Sequence, residues 1–307
     1  MLDAPAKLNL FLRLVGRRED GYHHLESLIQ ILDWGDRLEF TPHPTLDVAA
    51  NPPIDCPPEH NLVLRAARTL QTHSDCRQGA RIHLHKRVPS GAGLGGGSSD
   101  AATTLLALNA LWKLNLDLAT LATLGLKLGA DVPLFVRGYS ALVRGIGERL
   151  TPLPLPARWF LVLVPNVRSL TADIFAHPDL QRDNPALFAD LDTPLLTSPA
   201  AIRKIRARAD RHAQNDCQAV VEQMHPPVAQ ARRMLTAVAD GGRVGMTGTG
   251  CGLFAEFPEQ GAAQQALHRL QERWAQQGEQ PAQMRIAAGI DRSPVHAQLQ
   301  RLQAGRG

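Results

Sequence analysis

The chain has 307 residues, 44% of them hydrophobic and 20% charged, with a formal net charge of +4. That length fills one large domain or two ordinary ones, and the mild basic excess suits a protein of polyanionic small molecules without calling for nucleic acid. No stretch approaches the roughly 18 apolar residues of a membrane span, so no membrane partner is expected.

Asp3, Lys7 and Arg13 interrupt the first apolar stretch, which argues against a signal peptide. Residues Lys7 to Val15 alternate, with Leu8, Leu10, Leu12 and Leu14 on one face and Lys7, Asn9, Phe11 and Arg13 on the other. This predicts a half-buried strand from which Lys7 and Asn9 project together. Residues 17–21 read as a turn, and 24–31 fits a strand or a helix and is taken as a strand. Prolines at 42, 44, 52, 53, 57 and 58 mark a loop-rich excursion, and 61–72 reads as a helix.

A strand is expected over 81–86 and a helix over 101–112. Between them lies Val88-Pro89-Ser90-Gly91-Ala92-Gly93-Leu94-Gly95-Gly96-Gly97-Ser98-Ser99-Asp100, with glycine at five of the seven positions from Gly91 to Gly97. So much glycine is entropically costly to order. The return on offer is close approach of backbone N–H groups to a large anion, reinforced by the helix N-terminus that follows. Ser99 or Asp100 is a candidate cap for that helix. The segment reads as a phosphate cradle. It is no P-loop, because Gly97-Ser98 stands where Gly-Lys-Ser/Thr is required. Nor is it a dinucleotide fingerprint, because Asp117, at about the right distance, follows a helix rather than a strand. No His-Arg-Asp or Asp-Phe-Gly of a protein kinase occurs.

A second helix is expected over 118–128 with Gly129 as its C-cap, then a turn at Asp131-Val132-Pro133 into a strand over 134–137, and another strand from 141. Thr151-Pro152-Leu153-Pro154-Leu155-Pro156 places proline at every second position and is read as a domain boundary. Beyond it come a buried strand over 159–164, several helical stretches, strands near 243–247 and 253–257, a helix over 260–276 and a strand near 284–288. Strands flanking that helix suggest a split βαβ sandwich. Gly245, Gly248, Gly250 and Gly252 form a second glycine-rich turn, either a plain hairpin or a backbone wall closing a phosphate site. The basic run Arg203-Lys204-Ile205-Arg206-Ala207-Arg208 reads as a solvated helix face. Cys56, Cys76, Cys217 and Cys251 lie far apart without a CxxC pair, which excludes a disulfide scaffold and points to a reducing, cytoplasmic setting. His83 and His85 share one strand face, but without a third ligand nearby in sequence no metal site is assigned.

Three segments together resemble the small-molecule kinases of the GHMP superfamily: Pro5-Ala6-Lys7-Leu8-Asn9-Leu10, Pro89 through Asp100, and Met246-Thr247-Gly248-Thr249-Gly250-Cys251-Gly252-Leu253-Phe254. One branch is matched further at residues 16–23, 61–66, 129–135, 145–148 and 164–166. The resemblance implies a two-domain α+β fold, an N-terminal ATP-binding domain over 1–155 and a C-terminal ferredoxin-like domain over 156–307, with the active site in the cleft between them. It implies ATP-dependent phosphorylation, with Mg²⁺ carried on the nucleotide, of the 2-hydroxyl of a cytidine-diphosphate-linked methylerythritol, a step towards isoprenoid precursors. The branch usually has Ser where Thr247 stands and often proline where Ala172 stands. A sister kinase of homoserine or mevalonate is the alternative, and a non-catalytic nucleotide-binding protein of the same fold a more distant one.

The resemblance also implies roles. Asp131 is the expected base for the substrate hydroxyl, and Lys7 stabilises charge developing on that oxygen. The nucleotide is expected on Pro89, Ser90, Gly91, Ala92, Gly93, Leu94, Gly95, Gly96, Gly97, Ser98 and Ser99, with Asn61 and Lys86 towards adenine or ribose. The substrate is expected on Asn9, Tyr22, His23, Thr171, Phe175, Gly248 and Gly250, its cytosine stacked between Tyr22 and Phe175 and read at its edge by His23. No protein metal ligand is assigned.

Overall fold

The computed structural model describes residues 1–19, 21, 23–54, 56–189, 198–212, 214–276 and 283–304. Its strands are β1 (Leu2–Arg17), β2 (His23–His43), β3 (Leu46–Asn51), β4 (Gly79–His85), β5 (Ala141–Gly145), β6 (Arg149–Pro152), β7 (Trp159–Val164), β8 (Val244–Met246), β9 (Leu253–Phe257) and β10 (Gln283–Ile290). The helices are α1 (Leu62–Ser74), α2 (Gly96–Leu111), α3 (Leu118–Leu126), α4 (Val132–Arg137), α5 (Thr171–Ala176), α6 (Pro199–Arg211), α7 (Gln218–Met224), α8 (Pro226–Thr236), α9 (Gln260–Gln276) and α10 (Pro294–Ala304).

One open sheet runs through the molecule in the order β3-β4-β2-β10-β7-β9-β8, with β1 and β5 also pairing with β2, and β6 with β5. The C-terminal strands β10-β7-β9-β8 pair antiparallel, and the order of elements from β7 to β10 is that of a split βαβ sandwich. The expected α+β architecture is therefore present. Two apolar clusters fill it. One gathers Ile29, Leu38, Ile82 and Leu84 beneath Leu70, Leu105 and Phe135. The other gathers Leu8, Leu10, Phe160, Leu163 and Phe254 with Leu235 and Leu270. The last helix, α10, returns to the first half of the chain, where Val295 joins the first cluster.

Several local expectations are corrected. The segment 134–137 is helix α4, not a strand. Pro133 sits in the first turn, where its missing N–H is harmless, and Val132 to Val136 are all buried, so a short apolar run carried no usable period. Helix α2 begins at Gly96, not at 101, so Ser98 and Ser99 lie in its first turn and neither Ser99 nor Asp100 caps it. Helix α3 ends at Leu126, ahead of Gly129. Within the proline-rich excursion, β3 adds an edge strand parallel to β4. The basic run lies on α6, which buries Ile205 and Ala209, while Arg206 is spent on Asp210 and Glu256.

Candidate active site

Strand β1 is irregular where its polar residues stand. Its register against β2 shifts between Pro5 and Lys7 and again between Asn9 and Phe11. Such bulges re-aim side chains. Lys7 and Asn9 are both buried, Lys7 to 3% exposure, and the Lys7 ammonium donates to the Asn9 side-chain oxygen. Asn9 in turn donates to Ser27 Oγ at 2.8 Å, whose hydroxyl donates to the Phe11 carbonyl at 2.6 Å. Each polar atom in this chain is therefore held in one orientation. Lys7 Nζ lies 3.4 Å from Asp131 Oδ2, at the N-terminus of α4, and that carboxylate is 37% exposed.

The two glycine-rich segments meet beside this pair. Gly95 caps α2 at φ +70°, and a Cβ there would lie 3.0 Å from Lys7 Cγ and from the Phe135 ring. Gly93, at φ +76°, passes so close to the other loop that a Cβ would stand 2.0 Å from the Thr247 carbonyl oxygen. Glycine is required at both for the left-handed backbone and for the space. The Thr247 hydroxyl donates to Gly93 O at 3.1 Å and accepts from Asn9 N at 2.9 Å; Lys7 N donates to Leu94 O at 2.9 Å and Gly252 N to Ala92 O at 3.0 Å. Residues 245–252 are thus both a β8–β9 hairpin and a wall against the first loop.

A cavity of ≈ 820 Å³ opens over these groups. It is lined by Lys7, Asn9 and Asp131 in the middle, by Pro89 through Ser98 with Leu62 on one side, and by His23, Thr171, Phe175, Gly248 and Thr249 on the other. Asp131 is the one carboxylate among the described lining residues. At the far end Phe175 stacks directly on His23, ring centroids 4.9 Å apart and planes 17° from parallel. The Arg182 guanidinium donates to the Phe175 carbonyl at 2.9 Å. Burial, with Arg182 and Arg17 nearby, holds the His23 imidazole below its usual pKa, so it is neutral at neutral pH, and its buried Nε2 has no hydrogen-bond partner. Tyr22 lies outside the described residues.

Four expected positions fall elsewhere. Ser99 is fully buried in α2 behind the loop. Gly250 packs on the other loop rather than lining the cavity: a Cβ there would stand 2.2 Å from Gly93 N. Asn61 uses its side chain to cap α1 through Val63 N at 2.9 Å. Lys86 lies behind the cradle, just past the end of β4, with its ammonium on Asp36 and, at 3.0 Å, on Asp100. Asp36 Oδ1 also takes the N–H groups of Arg87 and Val88. One buried carboxylate on β2 thereby fixes the entry to the cradle, and Asp100 ties α2 to the same ammonium. Burial and the nearby Asp36 charge push the Asp100 carboxyl up to about 8, against the pull of Lys86. The two carboxylates keep the Lys86 ammonium above its usual pKa despite its burial. Sequence reading missed Asp36, Arg182 and the Thr247 hydroxyl. For Asp36 the sequence offered no distinguishing signal, because Gln30, Asp33 and Arg37 stand in the same strand segment, Ile29 to Leu38.

A glycine cradle at a helix N-terminus, beside a lysine–aspartate pair in a cleft, defines a small-molecule phosphotransferase site. The comparisons agree. Family models for the GHMP kinases N terminal domain and the GHMP kinases C terminal match residues 61–139 and 199–276. A 4-diphosphocytidyl-2-C-methyl-D-erythritol kinase of Chromohalobacter salexigens is 46% identical over 299 residues, covering 97% of this chain and 93% of that protein. One from Pseudomonas aeruginosa is 44% identical over 302 residues, covering 98% of each. A crystal structure of 4-(cytidine 5'-diphospho)-2C-methyl-D-erythritol kinase superposes with a TM-score of 0.71 at 33% identity, over 94% of this chain and 98% of that one. A homoserine kinase from Cytophaga hutchinsonii, at 17% identity and TM-score 0.61 over 94% and 93% of the two chains, shares the fold. The chain belongs to the GHMP kinases and, within them, to the family of the 4-diphosphocytidyl-2-C-methyl-D-erythritol kinases.

Proposed function

We propose that this protein transfers the γ-phosphoryl group of ATP to the 2-hydroxyl of 4-diphosphocytidyl-2-C-methyl-D-erythritol, giving the 2-phosphate and ADP. The observation that carries the reading is identity along nearly the whole chain to kinases of that name, coinciding with the Lys7–Asp131 pair inside the cleft. The first half of the chain, 1–155, supplies the nucleotide cradle. The second, 156–307, supplies Phe175, Thr171 and the Gly248 wall.

In this reading the triphosphate lies along Gly91 to Ser98, where loop N–H groups and the start of α2 face it. Ser98, lining the cavity in the first turn of α2, would stand by a Mg²⁺ ion carried with the nucleotide, which would supply neutralisation of phosphate charge. The substrate hydroxyl points at Asp131 Oδ2. As its oxygen bonds to the γ-phosphorus and the bond to the ADP oxygen breaks, its proton passes to that carboxylate. Lys7, fixed by Asn9, faces the same oxygen and stabilises its growing charge. The cytosine binds at the His23 and Phe175 end, with Tyr22 as its second face. Two rings already in contact leave no room for a third between them, so Phe175 shifts off His23 to receive the base. A neutral imidazole with a free Nε2 suits reading of the base edge. The four cysteines are unpaired thiols, which suits the cytoplasm.

The direct test incubates the purified protein with ATP, Mg²⁺ and the cytidine compound and locates the new phosphate by ³¹P NMR. A phosphomonoester on the 2-hydroxyl is expected. ADP release without that product refutes the assignment.

A further inference from the structure

The outer face of the sheet, away from the cleft, carries a second group of side chains with defined chemistry. On β4, His83 and His85 are two residues apart and point the same way, ring centroids 4.3 Å apart. Glu39 on β2 is the register partner of His83, and its Oε1 lies 3.2 Å from His85 Nε2. One donor atom from each of the three lies within 4.8 Å of the others, and all three side chains are half-buried. Among the described residues no other trio of histidine, cysteine or acidic side chains converges in this way.

The surroundings favour a cation. On β3 the partner of His83 is Ala49, whose short side chain leaves the imidazole uncovered, and the partner of His85 is Asn51. The nearest arginines are already committed. Arg37, opposite His85, donates to Asp3 at 3.0 Å, and Arg81 donates to Asp47 at 2.9 Å. Glu39 is left facing the two imidazoles. Metal–ligand distances of about 2.0–2.2 Å put tetrahedral donor atoms roughly 3.3 Å apart. The His85–Glu39 pair already has that spacing, and a donor atom of His83 lies within 4.8 Å of both.

We propose that Glu39, His83 and His85 form a binding site for a borderline divalent metal ion of the zinc type, with solvent completing the shell. Two imidazoles and one carboxylate select zinc, cobalt, nickel or copper over the oxygen-seeking Mg²⁺ that accompanies ATP. The ion would clamp β4 to β2 through His83 and His85, the latter immediately before Lys86, where the chain leaves β4 towards the glycine cradle. The site stands apart from the cleft and does not depend on the kinase reading.

The test is calorimetric titration of the metal-free full-length protein with Zn²⁺, alongside Co²⁺ titration followed by visible absorption. Wild type is expected to bind one Zn²⁺ and to give the intense Co²⁺ bands of a four-coordinate centre. Mg²⁺ in the same cell is expected to give no heat from this site. Glu39→Gln and the double variant His83→Ala/His85→Ala are expected to bind Zn²⁺ at least ~10-fold more weakly, since losing a ligand costs no less than losing its outer-shell support. Binding of an ATP analogue and kinase turnover without added zinc are expected to be unchanged in both, which establishes that they fold. No Zn²⁺ binding by wild type, or equal binding by wild type and double variant, overturns the proposal.

Discussion

Replacing Asp131 by Asn separates chemistry from architecture. The asparagine keeps the shape and can still accept a hydrogen bond from Lys7, but it cannot take the substrate's proton. Losing a positioned base costs about 10²–10⁴ in turnover, which is about 2.7–5.4 kcal/mol of barrier. The structural cost is far smaller. Lys7 and Asp131 are 3.4 Å apart, but the carboxylate is 37% exposed, so solvent screening limits the pair to no more than about 1 kcal/mol of stability. Lys7 also stays anchored by Asn9. The expected result is a fall in kcat of about 10²–10⁴, with both KM values within about threefold of wild type and a nearly unchanged melting temperature. Steady-state kinetics and thermal unfolding of the same preparation measure all three. A folded Asp131→Asn protein with turnover within about threefold of wild type would remove the base from the mechanism.

Other perturbations test other parts. Gly95→Val forces a β-branched residue to φ +70° with its Cβ 3.0 Å from Lys7 and Phe135, so calorimetry with an ATP analogue is expected to show binding abolished; unchanged affinity would mean the loop does not hold phosphate. Phe175→Ala removes one stacking face, about 1–3 kcal/mol, and is expected to raise the substrate KM about 5- to 150-fold while the ATP KM holds; a silent truncation would place the base elsewhere. The pH dependence of stability follows from Asp100. Its carboxyl, ordinarily at 3.8, is raised to about 8 in the fold, so the folded state holds a proton that the unfolded chain releases. This contribution is complete below about pH 4 and is lost as pH rises through about 8. The raised Lys86 ammonium titrates above that window. Urea unfolding between pH 5 and 8.5 is expected to show a smaller decline for Asp100→Asn than for wild type; parallel curves would contradict the assignment.

What could be read in advance followed the physics of each signal. The alternation in β1 placed Lys7 and Asn9 on one face, and the glycine run between strand and helix marked the cradle, because both are local patterns with one geometric meaning. Helix α4 was misread because five consecutive buried residues, Val132 to Val136, show neither a period of 2 nor one of 3.6, and Pro133 fits the first turn of a helix as well as a turn before a strand. The resemblance implied Lys86 as a nucleotide ligand towards adenine or ribose. Its ammonium turns back instead to Asp36, 50 residues earlier, and nothing local announces such a partner. Thr247 could not be seen as the link between the two loops until their backbones were known to touch. His83 and His85 were visible as a pair, but their third ligand, Glu39, comes from the neighbouring strand and depends on the β2–β4 register.

The central claim is the identity of the phosphoryl acceptor. It is tested most directly by kcat/KM for ATP consumption with the cytidine-diphosphate methylerythritol, its uridine analogue, homoserine and mevalonate side by side. The account predicts efficient turnover of the cytidine compound alone. Uracil reverses donor and acceptor at the base edge, and a site built to hydrogen-bond cytosine can penalise it by up to about 10⁴-fold. Equal use of the uridine analogue would contradict recognition of the base by His23 and Phe175. Preference for homoserine or mevalonate would contradict the proposed substrate itself.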